Sequence, residues 1–370
     1  VAAGQGALHA LLLGAAGAAQ RLAEVAAILA ERQLDPPARE EVLELEPSAL
    51  EAFLRTRDPF AALLSPRQYE ALSGNGPVTP GIGVELVASN GGFLLVPYPD
   101  GPARDAGLEN RCLLLQVDGR SVAGLAIDRV GELLRGAPGS TVRLDVRDLV
   151  TGRTRQFSVT RGHFTAPAAA YLREEEIALV RVWTFRSRDT LLALERGIRR
   201  LREEGAELVI DLRGAQGGDL FEALDAASLF VDGGRSLAMV EDNRERRREL
   251  VSLPGRRITR RPVLLLVGRN TASAAEAFAR ALRHYGAARL VGENTYGKCL
   301  TQTLVPLRDG GALKFSNGRL LGPEGTPCED GGLRPDTRVP RPDRLSARAL
   351  LAEALSAVQK KSPRGAGANH

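Results

Sequence analysis

From His163 to Pro340, short apolar runs alternate with amphipathic stretches, and few architectures accept that alternation. IALVRVWTF is followed by a helical pattern from Asp189 to Glu204, then AELVIDLRG, EALDAASLFV, RPVLLLVG, the helical TASAAEAFARALRHYG, and ARLVG. Strands that are apolar at nearly every position need cover on both faces, and the intervening helices supply it. Residues 162–340 are therefore expected to form an α/β core. A last helix, Pro342 to Lys360, and a polar tail, KSPRGAGANH, make up residues 341–370, the tail expected to be disordered.

Two other regions precede this core. Between Leu8 and about Leu72, Ala and Leu recur at i, i+3 and i+4, the period of a helix, and Pro36-Pro37 divides two such stretches. Residues 1–72 read as a helical N-terminal region whose plainest role is packing or dimerisation, and hence a possible homo-oligomer. A Gly/Pro-rich connection, Ser73 to Gly83, leads into the β-type runs GVELVA, GFLLVPY, CLLLQVDG, TVRLDVRD and RQFSVTR. One short helix, Asp128 to Arg135, is expected among them with Asp128 as its N-cap. Residues 73–161 thus form a compact module of short strands and helices, and the fold class of the whole is α/β, mixed α+β. A net charge of +5, spread without interleaved aromatics, argues against a nucleic-acid partner. The longest apolar stretch, Ala7 to Ala19, is 13 residues with His9 inside it, too short for stable membrane insertion. The chain opens on Val and its one methionine is Met239, so an N-terminal piece is expected to have been removed; processing of a secretory signal would do this, and so would a cloning choice.

Catalytic groups favour places where a buried strand gives way to a helix, because free N–H groups and the positive dipole end there stabilise developing negative charge. In VLLLVGRNTASAAEAFARAL such a junction presents the Ser273 hydroxyl beside the Ala274 amide. In LVIDLRGAQGGDLFEAL the strand runs into Gly214, Gly217 and Gly218, whose backbone a ligand can approach without a Cβ in the way. Taken alone, Ser273 also reads as an ordinary N-cap and the glycines as a tight turn. A serine nucleophile needs a base, and the four histidines are poorly placed. His9 lies in the N-terminal helices, His163 in a connection, and His370 in the tail. His284 ends the helix that Ser273 opens, about 16 Å away, where it suits the dipole. Lysine is scarce, only four of the 50 basic residues, and Lys298 stands out within ENTYGKCLTQ. A lysine acts as a base only when neutral, so burial must lower its pKa from about 10.4 towards about 7–8, at a cost of about 3–5 kcal/mol. On a strand, Lys298 and Gln302 share a face, but they stand about 13 Å apart unless the segment bends. A solvated turn lysine fits the same residues. Cys112, Cys299 and Cys328 lack metal-ligand spacing, and neither metal nor cofactor is expected.

The ordered set of motifs resembles the carboxyl-terminal processing, or tail-specific, protease family: serine peptidases with a Ser-Lys dyad and an inserted PDZ domain. The resemblance runs from about Leu54 to Asp336 through DPFAALLSPRQYEAL, GIGVEL, GPARDAGL, LLQVDGRSV, VRVWTF, DLRGAQGG, NTASAAEAFARAL, LVGENTYGKCLTQ and GPEGTP before GGLRPD. It implies a PDZ domain on residues 73–161 and a crotonase-like serine protease core on 162–340. It further implies Ser273 as nucleophile, Lys298 as general base, Gln302 as the residue that orients the lysine, and the amides of Gly217, Gly218 and Ala274 as oxyanion hole. In the PDZ domain it implies that the N–H groups of Gly81, Ile82, Gly83 and Val84 capture a C-terminal carboxylate. A pocket of Ile82, Val84, Val130, Leu133 and Leu134 would then take an apolar C-terminal side chain.

The implied function is a serine endopeptidase that recognises protein C-termini and cleaves near the tail through an acyl-enzyme. The alternative is a PDZ-based C-terminal-peptide binding or scaffold protein with an inactive or partner-dependent core. Implied partners are proteins or peptides with apolar C-termini and an activating adaptor; the implied setting is extracytoplasmic, most often periplasmic. Because a PDZ domain can gate such a site, the connections Ser73–Pro80 and Arg161–Pro167 are expected hinges. Two departures stand out: Arg111-Cys112 occupies the place of a usual Gly-Asp pair, and Cys299 replaces the small residue that commonly follows the lysine.

Overall fold

The structure, a computed structural model, describes residues 2–72, 80–89, 92–109, 111–149, 151–173, 177–186, 188–329 and 331–361. The expectations for the connection 73–79 and for the tail 362–370 lie outside them. The chain forms two compact units that do not follow sequence order. One combines Val1–Pro77, Met239–Glu249 and Cys299–Leu321; the other combines Val78–Ala238, Leu250–Lys298 and Gly322–His370. The segment 162–340 therefore contributes two of its stretches to the unit that holds the N-terminal helices.

In the first unit, the helix Ala2–Arg32 carries Leu22, Val25, Ala26 and Leu29 on one stripe, all buried. They pack with Val42, Leu50, Leu54, Leu313 and Phe315, so the described part of the apolar face is covered within its own unit. The strand Ala312–Leu321 is the spine of that unit's sheet. Ala62–Leu64 and residues Met239 to Glu241 pair with it, and Leu300–Pro306 runs antiparallel along it with a register shift between Thr301 and Gln302. Buried Asp58 holds Ser316 from both its N–H (2.7 Å) and its hydroxyl (3.1 Å).

The second unit contains two sheets. In one, Val84–Ser89, Gly92–Pro97, Cys112–Val117, Thr141–Asp148 and Thr154–Thr160 follow one another antiparallel, with Val84–Ser89 at an edge. Leu95, Leu114, Val142, Leu144 and Val159 point inward against the helix Ile127–Leu134. That helix starts after Ala126, which makes no side-chain cap bond, so Asp128 lies in its first turn, favourable to the dipole, rather than at its N-cap. Arg161 closes the other end, donating from Nη2 to Leu133 O (2.9 Å) and from Nε to Leu134 O (3.1 Å).

The other sheet is the α/β core, in the order Thr337–Arg338, Ala288–Gly292, Val263–Val267, Glu207–Asp211, Ile177–Val182, Ala169–Arg173. Neighbours are parallel except the last pair. Alternate residues face opposite layers: Leu179, Val209 and Leu266 meet Ala347 and Leu350 of the C-terminal helix, whereas Val180 and Leu208 lie against Gly197 of the helix Asp189–Glu203. A Cβ at Gly197 would come within 2.8 Å of both, so the helix can approach this closely only with glycine there. The both-faced burial expected from the apolar runs is thus realised. Among the described residues, no helix is long and apolar enough to cross a membrane.

Candidate active site

The strand Val263–Val267 ends in a turn tied to the neighbouring loop by buried Thr271. Its hydroxyl donates to Leu212 O (2.8 Å) and accepts from Gly268 N–H (3.1 Å), while Ala272 N–H reaches Ala215 O (3.0 Å). Ser273 follows as N-cap of the helix Ala274–His284, with φ 56° and ψ −121°. Such a conformation costs a residue with a Cβ on the order of 1–3 kcal/mol and persists where the surroundings impose it. Gly217, at φ +115°, closes on the same point: a Cβ there would lie 2.9 Å from Ser273 Cβ and 3.4 Å from the Ala274 nitrogen. Gly218, at φ +125°, has Phe185 O where its own Cβ would be. Phe185 N–H to Gly217 O (2.8 Å) and Asp219 N–H to Phe185 O (2.7 Å) hold the turn in place. Gly217, Ser273 and Ala274 are therefore brought together.

Lys298 joins them through a residue that sequence reasoning passed over. Buried Glu276, one turn into the helix, accepts at Oε2 from Ser273 N–H (2.8 Å) and Lys298 N–H (2.9 Å). Its Oε1 accepts from Gly297 N–H (2.7 Å) and from the Thr295 hydroxyl. An ionised carboxylate offers about four lone-pair sites, and all four are used. The Thr295 hydroxyl in turn accepts from Leu333 N–H (2.7 Å), and Tyr296 N–H donates to Thr271 O (2.9 Å). The segment carrying the lysine is thereby laid beside the helix mouth. The available signal was Ser273-x-x-Glu276, the spacing of a capping box. His284 lies at the helix's far end, as expected, and His163 is exposed. Gln302 belongs to the other compact unit, on Leu300–Pro306, where its Nε2 donates to Phe60 O (3.1 Å).

The PDZ-type module bears a groove of about 640 Å³ lined by Gly81, Ile82, Gly83 and Val84 and by Ile127, Gly131 and Leu134 of the helix. The face presented is not the one expected. Val130 is wholly buried among the module's core residues, Leu133 packs against that core, and Ile127, at 40% exposure, takes their place beside Leu134. Of the four loop amides expected to act together, Gly81 N–H is already committed, donating to Gly162 O (3.0 Å).

Between module and core lies a buried charged cluster that was also missed. Trp183 Nε1–H donates to Glu85 Oε2 (2.8 Å), and Asp211 receives Arg213 at both oxygens (Nε to Oδ1 2.8 Å, Nη2 to Oδ2 2.7 Å) and Arg181 (3.3 Å) and Arg111 (3.4 Å) at Oδ2. Burial would raise the Asp211 carboxyl, but Arg213, Arg181 and Arg111 outweigh it and hold it well below the usual carboxylate range. Burial dominates at Glu85 and pushes its carboxyl up despite Arg111, Arg181 and the Trp183 bond. Arg213 also donates to Pro342 O and, at 2.7 Å, to Leu345 O, which pins the DLRG loop. Among the described residues, no group of three or more His, Cys, Asp or Glu is placed to hold a metal ion.

Comparison with known proteins bears on this arrangement. A carboxyl-terminal-processing protease of Picosynechococcus sp. is 32% identical over 294 residues, covering 77% of this chain and 70% of that protein. The chain belongs to the carboxyl-terminal-processing proteases of peptidase family S41. The S41 family model matches residues 176–339 and a PDZ-domain model residues 94–148. The S41 match contains Ser273, Glu276 and Lys298; the PDZ match contains the helix Ile127–Leu134, with the Gly81–Val84 loop just before it. A probable CtpA-like serine protease of Staphylococcus haemolyticus is 28% identical over 306 residues, 81% of this chain, and this chain spans 61% of that protein's length. The solved photosystem II D1 C-terminal processing protease shares the fold at a TM-score of 0.62 with 26% identity, over 90% of this chain and 96% of that one. The α/β core and PDZ domain expected from the motifs are both those of S41 members.

Proposed function

We propose that this chain is a serine endopeptidase that captures protein C-termini on its PDZ domain and cleaves near the tail. One observation carries the reading: a single carboxylate oxygen of Glu276 accepts the backbone amides of both Ser273 and Lys298, so the backbones that carry nucleophile and base are held to a common point. Ser273 Oγ attacks the scissile carbonyl while Lys298 Nζ takes its proton; the C–N bond breaks as the lysine returns that proton to the leaving amine. Lys298 then deprotonates the water that hydrolyses the ester and frees Ser273. The amides of Ala274 and of the Gly217-Gly218 turn serve as oxyanion hole, each donor worth about 3–4 kcal/mol in the transition state. Gln302 is assigned the orientation of the lysine.

At the other end of the substrate, the amides of Ile82, Gly83 and Val84 take the carboxylate, and the tail adds as a strand beside the edge Val84–Ser89. Ile82, Val84, Ile127 and Leu134 favour an apolar last side chain. We assign an extracytoplasmic setting and hinges at the two PDZ connections on the strength of the family. An activating adaptor and association between copies belong to the same reading.

Digestion of an unfolded protein with an apolar C-terminus is the test, with wild type beside Ser273→Ala and Lys298→Ala. Cleavage by wild type alone supports the proposal. Equal cleavage by all three removes it, and tail binding without cleavage by wild type favours a C-terminal-peptide scaffold.

A further inference from the structure

A second cavity, of about 370 Å³, opens where the PDZ domain meets the α/β core, within one compact unit and away from Ser273. Its described lining is unusually basic: Arg104 and Arg111 come from the PDZ side and Arg181 and Arg344 from the core, with Glu109 the one acidic side chain. The floor is equally short of negative charge. Arg213 takes both oxygens of Asp211, Nε on Oδ1 at 2.8 Å and Nη2 on Oδ2 at 2.7 Å, so Arg111 and Arg181 share Oδ2 with it and reach it only at 3.4 Å and 3.3 Å. The second carboxylate nearby, Glu85, is engaged by Trp183.

Arg111 is the residue least well served. Its side chain is 9% exposed, Nη1 donates to Asp343 O (3.0 Å), and its buried Nε has no hydrogen-bond partner among the described residues. Burial, with Arg213 and Arg181 close by, brings its pKa down to about 9, so the charged form is under-compensated as it stands. A buried cation that lacks counter-charge costs several kcal/mol, and a bound anion would remove that cost. Guanidinium forks match the paired oxygens of phosphate and carboxylate groups, and the cavity lies at the small end of the range for ligand sites.

We infer that this cavity binds a small, multiply charged oxyanion, which joins PDZ domain and protease core through arginines supplied by both. The inference does not depend on the peptidase reading. A ligand that bridges the two parts stabilises the folded chain by mass action.

The test is calorimetric titration of the whole chain with inorganic phosphate, citrate and a short peptide bearing a free C-terminal carboxylate, at constant ionic strength set with chloride. Thermal unfolding is followed in parallel. Expected are saturable one-to-one binding of phosphate or citrate and a rise in Tm with its concentration. Binding is expected to weaken at least about tenfold in Arg111→Gln and in Arg344→Gln. Arg104→Ala, at an exposed position, guards against misfolding: its Tm without added anion should equal that of wild type while its affinity falls. The inference is overturned if neither phosphate nor citrate binds saturably, or if binding is unchanged in all three variants. Displacement of phosphate by the peptide would also overturn it, since the site would then belong to a polypeptide terminus.

Discussion

Replacing Glu276 by Gln removes one acceptor oxygen from a carboxylate that serves four donors. The Gln oxygen can keep one pair, either Ser273 and Lys298 N–H or Gly297 N–H and Thr295 Oγ–H. Its NH₂ group then faces the other pair donor to donor. Charge-assisted hydrogen bonds are worth about 1.5–3 kcal/mol each, so two lost bonds amount to about 3–6 kcal/mol, reduced where the segment 295–298 can relax. If about 3 kcal/mol of this falls on the relative placement of nucleophile and base, turnover drops on the order of 100-fold. The PDZ groove is untouched, so KM should change little. Glu276→Asp keeps the charge but loses one methylene of reach and should recover only part of the rate. The assays are denaturant unfolding and steady-state hydrolysis of an unfolded protein with an apolar C-terminus. A Gln variant with a Tm within about 1 °C of wild type and kcat/KM within about twofold would refute the argument that this carboxylate holds the site together.

The backbone at Ser273 predicts that Ser273→Gly, which abolishes the hydroxyl but relieves the positive φ, is more stable than Ser273→Ala by about 1 kcal/mol, measurable as a higher denaturation midpoint; equal midpoints would mean no strain is stored there. Because burial raises the Glu85 carboxyl, the folded state holds its proton above the unfolded value, and the stability this contributes is lost as pH rises through the folded pKa. Glu85→Gln can still accept from Trp183, so its urea midpoint should decline less than that of wild type as pH rises from about 4 to about 8; parallel curves would contradict this. Arg161→Ala strips two donors from the end of the PDZ helix and should cost about 1–3 kcal/mol in PDZ stability by hydrogen exchange, and Arg161→Lys, a point charge without the fork, should not restore it.

Much of the α/β core could be read before the coordinates, because its signals are local. Apolar runs such as VLLLV and LVI mark strands buried on both faces, and the break from Gly268 to Ser273 marks where a helix begins. What could not be read depends on long-range register. Nothing in DPFAALL announces that residues 62–64 pair with 314–312, and no composition shift shows that the segment after Lys298 leaves the core for the unit of the N-terminal helices. The PDZ helix shows a subtler failure. Val130, Leu133 and Leu134 make an apolar stripe that could face either groove or core; packing turned Val130 inward, and the groove took Ile127, Gly131 and Leu134 at i, i+4 and i+7. Gly131 has no side chain to reveal it.

The charged residues were the least legible, for a physical reason. A pattern of apolar positions reports burial, and an acidic or basic side chain within it reads as an exception to be placed in solvent. Here the exceptions are buried and meet one another: Glu276 gathers the helix mouth and the lysine segment, and Asp211 gathers arginines from three parts of the chain. Breaking either carboxylate leaves several donors in low dielectric at once, so neither contributes as an isolated pair would. The two differ in one respect that matters for function. Glu276 has as many donors as it has lone pairs and leaves nothing over, which suits a fixed catalytic frame. Asp211 has more guanidinium charge around it than it can answer, which suits a site that waits for an anion.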